Sequence, residues 1–312
     1  MNREQYMEWL CDKRKCKKSS AQTHWYTMKR VRKMLDLPNE KIPRKSGWIP
    51  KNPDTLFKHS ANVNRNLSAT LVGYLKATGA NKKLIETYTD HMNEHASEVE
   101  NFYKRGEKTE KQEKNWISGK KIQKFVREVA SRCNDNQVWK SRDWSSKQRR
   151  LAEDLLMLTI HANNPPRLEM ASLVYRKTPD EIESGENAAV KLRRRGWHAF
   201  LSRGKTIKTN QPLMLKFTAP VSRVLNKFVK KLTSGEPFFT DKNGAQLTRN
   251  AYGKRLAQLF KARFNKPVTA SLLRTIFITE KYKDTPAWAE MEHTAGQMMH
   301  SVQTALLKYK KN

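Results

Sequence analysis

A chain of 312 residues is long enough for two domains with real cores, and 62 Lys+Arg against 30 Asp+Glu leave it with a net charge of +32. A basic excess of that size points to a polyanion partner, most often nucleic acid, while 37% apolar residues and eight tryptophans exclude a merely disordered basic tail. The charge is spread along the chain, with 34 basic and 17 acidic residues in 1–150 and 28 and 13 in 151–312, as expected of two domains that both touch the polyanion.

The first predicted element is EQYMEWLCDKR, amphipathic through Tyr6, Trp9 and Leu10. Next comes a helix capped by Ser19 or Ser20, with Trp25, Met28, Val31 and Leu35 on its apolar face. LPNEKIPRKSGWIPKNP, with its four prolines, is a loop. Two more helical stretches, DTLFKHSANVNRNLSATLVGYLKATG and KKLIETYTDHMNEHASEVENFYKR, complete a helical domain over 1–108. The apolar-free GEKTEKQEKN supplies a linker, taken as 109–116, and the second domain follows as 117–312. It opens with helices in KKIQKFVREVASRC and KQRRLAEDLLMLTIHAN. Three strands, SLVYRK, WHAFLS and QPLMLKF, follow with GKTIKTN as the turn between the last two. Helices resume after Pro220 and run to SVQTALLKYKK. The fold class is mainly α with a small antiparallel β insert.

Three cysteines are an odd and sparse set, which reads as a reduced, intracellular protein. Cys11 and Cys16 have no second Cys/His pair nearby, so no zinc site is expected. The opening residues have no signal-peptide pattern, and no apolar stretch approaches a membrane span. An intracellular location is expected, without secretion or a membrane partner.

Four places carry chemistry. In PPRLEM, Pro165 and Pro166 end a helix and leave Arg167 at the start of the next, placed to hold a phosphate or to pair with Glu169. In SRGKTIKTN, Lys205 and Lys208 sit at a hairpin tip, able to donate to a phosphate or leaving oxygen, or simply to solubilise a loop. In SLLRTIFITEKY, Arg274 stands among Leu272, Leu273, Ile276 and Phe277, and its one local counter-charge is the distant Glu280. An external phosphate is a reasonable partner for it. In MMHSVQTALLKYKKN, Ser301 is a plausible N-cap that leaves His300 just outside the last helix and Tyr309 near its far end. Taken alone, a tyrosine there is an ordinary packing residue.

In this order, with His300 and Tyr309 nine apart, the chain resembles the tyrosine recombinase (phage integrase-like) family. The matches are Arg167 in PPRLEM, Lys205 in GKT, Arg274 in SLLR, His300 in MMHS and Tyr309 in LLKYKK. PPRLE and SLLRTIFITEKY look most like the branch of large eukaryotic DNA viruses and mobile elements, and the N-terminal helices look like the family's core-binding domain. Three departures stand out: Ser271 replaces the histidine of the His-x-x-Arg box, Met299 replaces the glycine before His300, and the acidic Glu169 stands at +2 from Arg167. With Ser271 the role there falls to hydrogen bonding at the phosphate. Met299 implies a backbone that does not depend on a glycine-only conformation.

The resemblance implies a core-binding and a catalytic domain forming a C-shaped clamp on double-stranded DNA. It implies that Arg167 and Arg274 hold the non-bridging oxygens, His300 donates another hydrogen bond, and Tyr309 attacks phosphorus to give a 3′-phosphotyrosine. Lys205, or Lys208 as the alternative, protonates the leaving 5′-oxygen. No metal, cofactor or ATP is implied. The family usually acts as a tetramer with a segment beyond the tyrosine docking on a neighbour. Only Lys310, Lys311 and Asn312 follow here, so contacts between copies are expected from elsewhere, or else the chain was shortened. Two other functions fit in part: a type IB topoisomerase-like relaxase and a non-enzymatic basic DNA-binding protein.

Overall fold

The computed structural model describes residues 1–38, 40–202, 213–283 and 288–311. It folds as two units, Met1–Arg105 and Gly106–Asn312. Among the described residues no helix is long and apolar enough to cross a membrane.

The first unit is built from four helices, α1 (Arg3–Arg14), α2 (Lys18–Met34), α3 (Ala61–Ala77) and α4 (Lys82–Lys104). A capping box starts α1, with Asn2 and Gln5 each satisfying the other's backbone N–H. Helix α2 starts at Lys18 with Lys17 at its N-cap, so Ser19 and Ser20 lie inside the first turn rather than capping it. The left-handed Lys15 that closes α1 leaves only two residues before α2 begins. The proline-rich loop is fastened to α3 through Tyr74, whose hydroxyl donates to the carbonyl of Pro43 (2.7 Å) and accepts from Trp48 Nε1 (2.9 Å). That bonding keeps a fully buried phenol satisfied, as burial requires. Tyr6, Trp25, Met28, Leu71 and Tyr88 pack into the same core. Cys11, Cys16 and Cys133 are free thiols.

In the second unit, the stretch read from sequence as a linker contains a helix, α5 (Glu110–Asn115). Thr109 and Gln112 form its capping box, a T-x-x-Q signal that the lack of apolar residues obscures. Helices α6 (Gly119–Asp135) and α7 (Ser146–Asn163) pack together ahead of the sheet. The strands are β1 (Leu173–Arg176), β2 (Asn187–Leu192), β3 (Gly196–Leu201) and β4 (Leu213–Lys216), in spatial order β1-β2-β3-β4. Among the described residues the insert therefore has four strands rather than three. Moreover β1 and β2 run parallel, and only the β2–β3 and β3–β4 pairs are antiparallel. The extra strand, NAAVKL, has two alanines and four consecutive buried residues, so it lacks the alternation that marks a half-exposed strand. A parallel pair needs a crossover rather than a hairpin. The crossover is fastened by Arg176, which donates to Glu183 (2.7 Å) and Glu186 (2.9 and 3.0 Å).

Helices α8 (Ala219–Phe228), α9 (Arg249–Phe264), α10 (Ala270–Lys281) and α11 (Trp288–Gln297) follow. One helical turn, α12 (Val302–Thr304), then runs into a π-helical turn over Ala305–Tyr309. The main core gathers α6–α10 and the sheet, around Phe125, Leu156, Trp197, Phe239 and Phe260. A smaller cluster joins the end of α10 to α11 and the last turn through Ile278, Tyr282, Met298, Val302 and Tyr309. That cluster carries the end of the chain back to α10.

Candidate active site

Arg167 stands where α7 has ended and a five-residue 3-10 turn, Leu168–Ser172, begins. The alternative role, an ion pair with Glu169, is not what forms. Glu169 is buried and pairs with Arg249 (3.2 Å), while Arg167 has no ion pair among the described residues and its buried Nε has no hydrogen-bond partner there. A guanidinium left in this way retains its donors for an outside acceptor.

Arg274 projects from α10, whose N-cap is Thr269, accepting from the N–H of Leu272 (3.3 Å). It is 7% exposed. Its Nη1 donates to the carbonyl of Pro166 (3.2 Å) and its Nη2 to Ser271 Oγ (3.2 Å), while its buried Nε has no partner among the described residues. Glu280 is engaged elsewhere, accepting from the N–H of Gly119 (2.5 Å). Ser271 itself is exposed. In this structure its hydroxyl orients the arginine.

His300 is placed by the end of α11. The N–H of His300 bonds the carbonyl of Ala295 (3.1 Å) and that of Met299 bonds Gly296 (3.0 Å), with Met299 between them at φ +62°. This is a Schellman motif with methionine at the position that glycine usually fills. The expectation that Met299 would hold the backbone away from the glycine-favoured region is therefore corrected. The left-handed turn is kept and a side chain tolerates it, at about 1–2 kcal/mol. Ser301 then caps the next turn, accepting from the N–H of Thr304 (3.2 Å), as expected.

The His300 ring lies 5.0 Å from the ring of Tyr309, and the Arg274 guanidinium carbon lies 5.6 Å from the same ring centroid. His300 Nδ1 is 3.2 Å from the carbonyl of Ser301; a carbonyl only accepts, so Nδ1 bears the proton. Burial, with the charges of Arg274 and Arg167, lowers the pKa of His300 to about 4. The ring is thus neutral at pH 7 and its Nε2 offers a lone pair, buried and without a partner among the described residues. Tyr309 is 6% exposed in the last cluster.

The structure therefore brings Arg167, Arg274, His300 and Tyr309 together from four places in the chain. Lys205 and Lys208 lie outside the described residues. Three contributors escaped the sequence reading. The Pro166 carbonyl that holds Arg274 is a backbone atom and leaves no residue signature. His161, at the end of α7, is 2% exposed, and its pKa is lowered to about 3 by burial and by the charge of Arg274. Thr279, on α10, bonds the backbone on both sides of Lys310. Such a constellation can neutralise a phosphodiester through two arginines, take up a proton at an imidazole and present a phenol.

A scan against protein-family models finds no match, and neither does a search of curated protein sequences. Among solved structures the chain is similar to a crystal structure of XerA recombinase, at 12% identity and TM-score 0.42, covering 99% of this chain and 93% of that one. It is also similar to a structure of the Tn1549 transposon integrase in complex with transposon right end DNA, at 11% identity and TM-score 0.46, covering 100% of this chain and 96% of that one.

Proposed function

We propose that this chain is a tyrosine-type site-specific recombinase or integrase that cuts and rejoins double-stranded DNA through a 3′-phosphotyrosine intermediate. One observation carries the reading. The Nε atoms of Arg167 and Arg274 and the Nε2 of His300 are buried without partners among the described residues; Arg274 and His300 lie against Tyr309, and the charge of Arg167 acts on His300. A buried polar group without a partner costs about 1–3 kcal/mol, so the two guanidinium donors are matched to an acceptor from outside the chain, and the Nε2 lone pair to a proton such as that of the phenol. A phosphodiester supplies that acceptor, and the net charge of +32 favours a polymer that carries many.

The two guanidinium groups withdraw charge from the non-bridging oxygens and stabilise the pentavalent transition state. Tyr309 Oη attacks phosphorus as the bond to the 5′-oxygen breaks. The phenol, with an ordinary pKa of ~10, must give up its proton during attack. Neutral His300 takes that proton at Nε2 and, once charged, donates to a phosphate oxygen. The departing 5′-oxygen takes a proton from Lys205 or Lys208. A 5′-hydroxyl from another strand then reverses the steps, so the bond energy is conserved without ATP. Joining two duplexes this way calls for several copies on DNA, and a tetramer is the assembly proposed. Its place is inside the cell with DNA, as an element of viral or mobile origin.

The test is covalent capture on a nicked suicide duplex. Wild-type protein becomes linked to the DNA, and Tyr309→Phe binds the duplex but forms no link. A link formed by Tyr309→Phe removes the assignment. Exchange of strands between two duplexes separates a recombinase from a relaxase, which only relaxes one.

A further inference from the structure

We infer that Thr279 is a positioning residue that seats Tyr309 against the arginines of its own chain, an inference that rests on the recombination chemistry proposed above. Helix α10 carries two threonines one turn apart, and they behave differently. Thr275 Oγ1 donates to the carbonyl of Ser271 four residues back (3.1 Å), the usual habit of a helical threonine. Thr279 Oγ1 instead donates to the carbonyl of Tyr309 (3.2 Å) and accepts the N–H of Lys311 (3.0 Å). Its hydroxyl thus holds the backbone on both sides of Lys310.

The Tyr309 carbonyl is a helix-terminal acceptor that its own helix leaves unmatched. Thr279 fills that role from another element. The N–H of Lys310 is used within the turn, bonding the carbonyl of Ala305 (2.9 Å). Both Thr279 bonds are to backbone, so they fix where the turn sits whatever side chains it bears. Thr279 follows Arg274 on the same helix at a rise of roughly 7 Å. One rigid element therefore carries both the phosphate-binding arginine and the anchor of the nucleophile. A reacting atom displaced by about 1 Å costs on the order of 100-fold in rate.

The experiment compares Thr279→Val, which keeps shape and branching without the hydroxyl, with Thr279→Ser, which restores it. Thr279→Val is expected to slow link formation on the suicide duplex by ~10–100-fold with duplex affinity unchanged, and Thr279→Ser to recover most of the rate. Amide hydrogen exchange gives a readout independent of activity. In Thr279→Val the Lys311 amide exchanges faster, while the Lys310 amide, bonded to Ala305, does not. Wild-type rate in Thr279→Val beside an inert Tyr309→Phe overturns the inference and leaves the recombinase reading standing. Equal losses of affinity and rate, or faster exchange throughout α10, also overturn it, because they mark a structural role. A reactive Tyr309→Phe overturns the reading beneath it.

Discussion

Arg274 reaches across 108 positions of sequence to donate Nη1 to the carbonyl of Pro166 (3.2 Å), the residue just before Arg167. This bond ties the helix bearing one arginine to the backbone bearing the other. A lysine at 274 keeps the charge, but its single ammonium cannot match the fork that holds Pro166 and Ser271 while presenting Nε. Arg274→Lys is therefore expected to lower the rate of link formation by at least ~100-fold while duplex affinity falls far less. Single-turnover capture beside a binding titration measures both. Equal losses would mean that Arg274 is a plain DNA contact.

Met299 offers a test of backbone strain. Met299→Ala and Met299→Gly both lose the buried side chain, but only glycine relaxes at φ +62°. The glycine variant should be the more stable of the two by about 1 kcal/mol, reversing the order found within helices. Denaturant midpoints decide it. An alanine variant as stable as the glycine one would mean that the turn is not held in the left-handed region.

Acid should weaken the fold through its buried histidines. Burial lowers the pKa of His161 to about 3 from an unfolded value of 6.5. Above pH 6.5 neither state binds the proton and stability is complete. As the pH falls below 6.5 the unfolded chain takes it up first, so stability is lost progressively down to about pH 3. At pH 5 the loss from this one ring is roughly 2 kcal/mol. His24 and His300, both lowered to about 4, act in the same direction. Urea unfolding at pH 7 and pH 5 should show His161→Phe losing less than wild type by about that 2 kcal/mol. An identical loss in both proteins would count against a neutral buried His161.

Arg255 is 3% exposed and bonds both Glu153, 1% exposed, and Asp154. Taking away one partner of a buried ionic group costs about 3–5 kcal/mol, because charge is left in the interior. Arg255→Met should destabilise the second unit by that order, and burial already holds Asp154 above the usual carboxylate range. Chemical denaturation followed by tryptophan fluorescence is the measurement, and a shift below about 1 kcal/mol would contradict a supporting role for the pair.

Much of the fold was legible because helices announce themselves through periodicity and caps, as at Ser301 with Thr304. Strand β2 was not, since two alanines and unbroken burial give no alternation to read. Helix α5 was missed because its signal is polar throughout. Arg167, Arg274, His300 and Tyr309, which the candidate site brings together, could be singled out from sequence because their chemistry is carried by residue type. What held them in place was hidden. The Pro166 carbonyl, the left-handed Met299 and the Thr279 bonds to Tyr309 and Lys311 are backbone relations, and residue identity barely constrains those.

The π-helical turn over Ala305–Tyr309 bears on what the nine-residue interval from His300 to Tyr309 means. Such a turn accommodates one residue more than regular α winding, which by its last residue, Tyr309, shifts the chain by up to about 100° around the axis. The interval is thus not a pure length. It is a length and an angle together, and its angular part is written in the hydrogen bond from Lys310 to Ala305. Rewinding that turn as α-helix would keep all nine residues and point the phenol elsewhere.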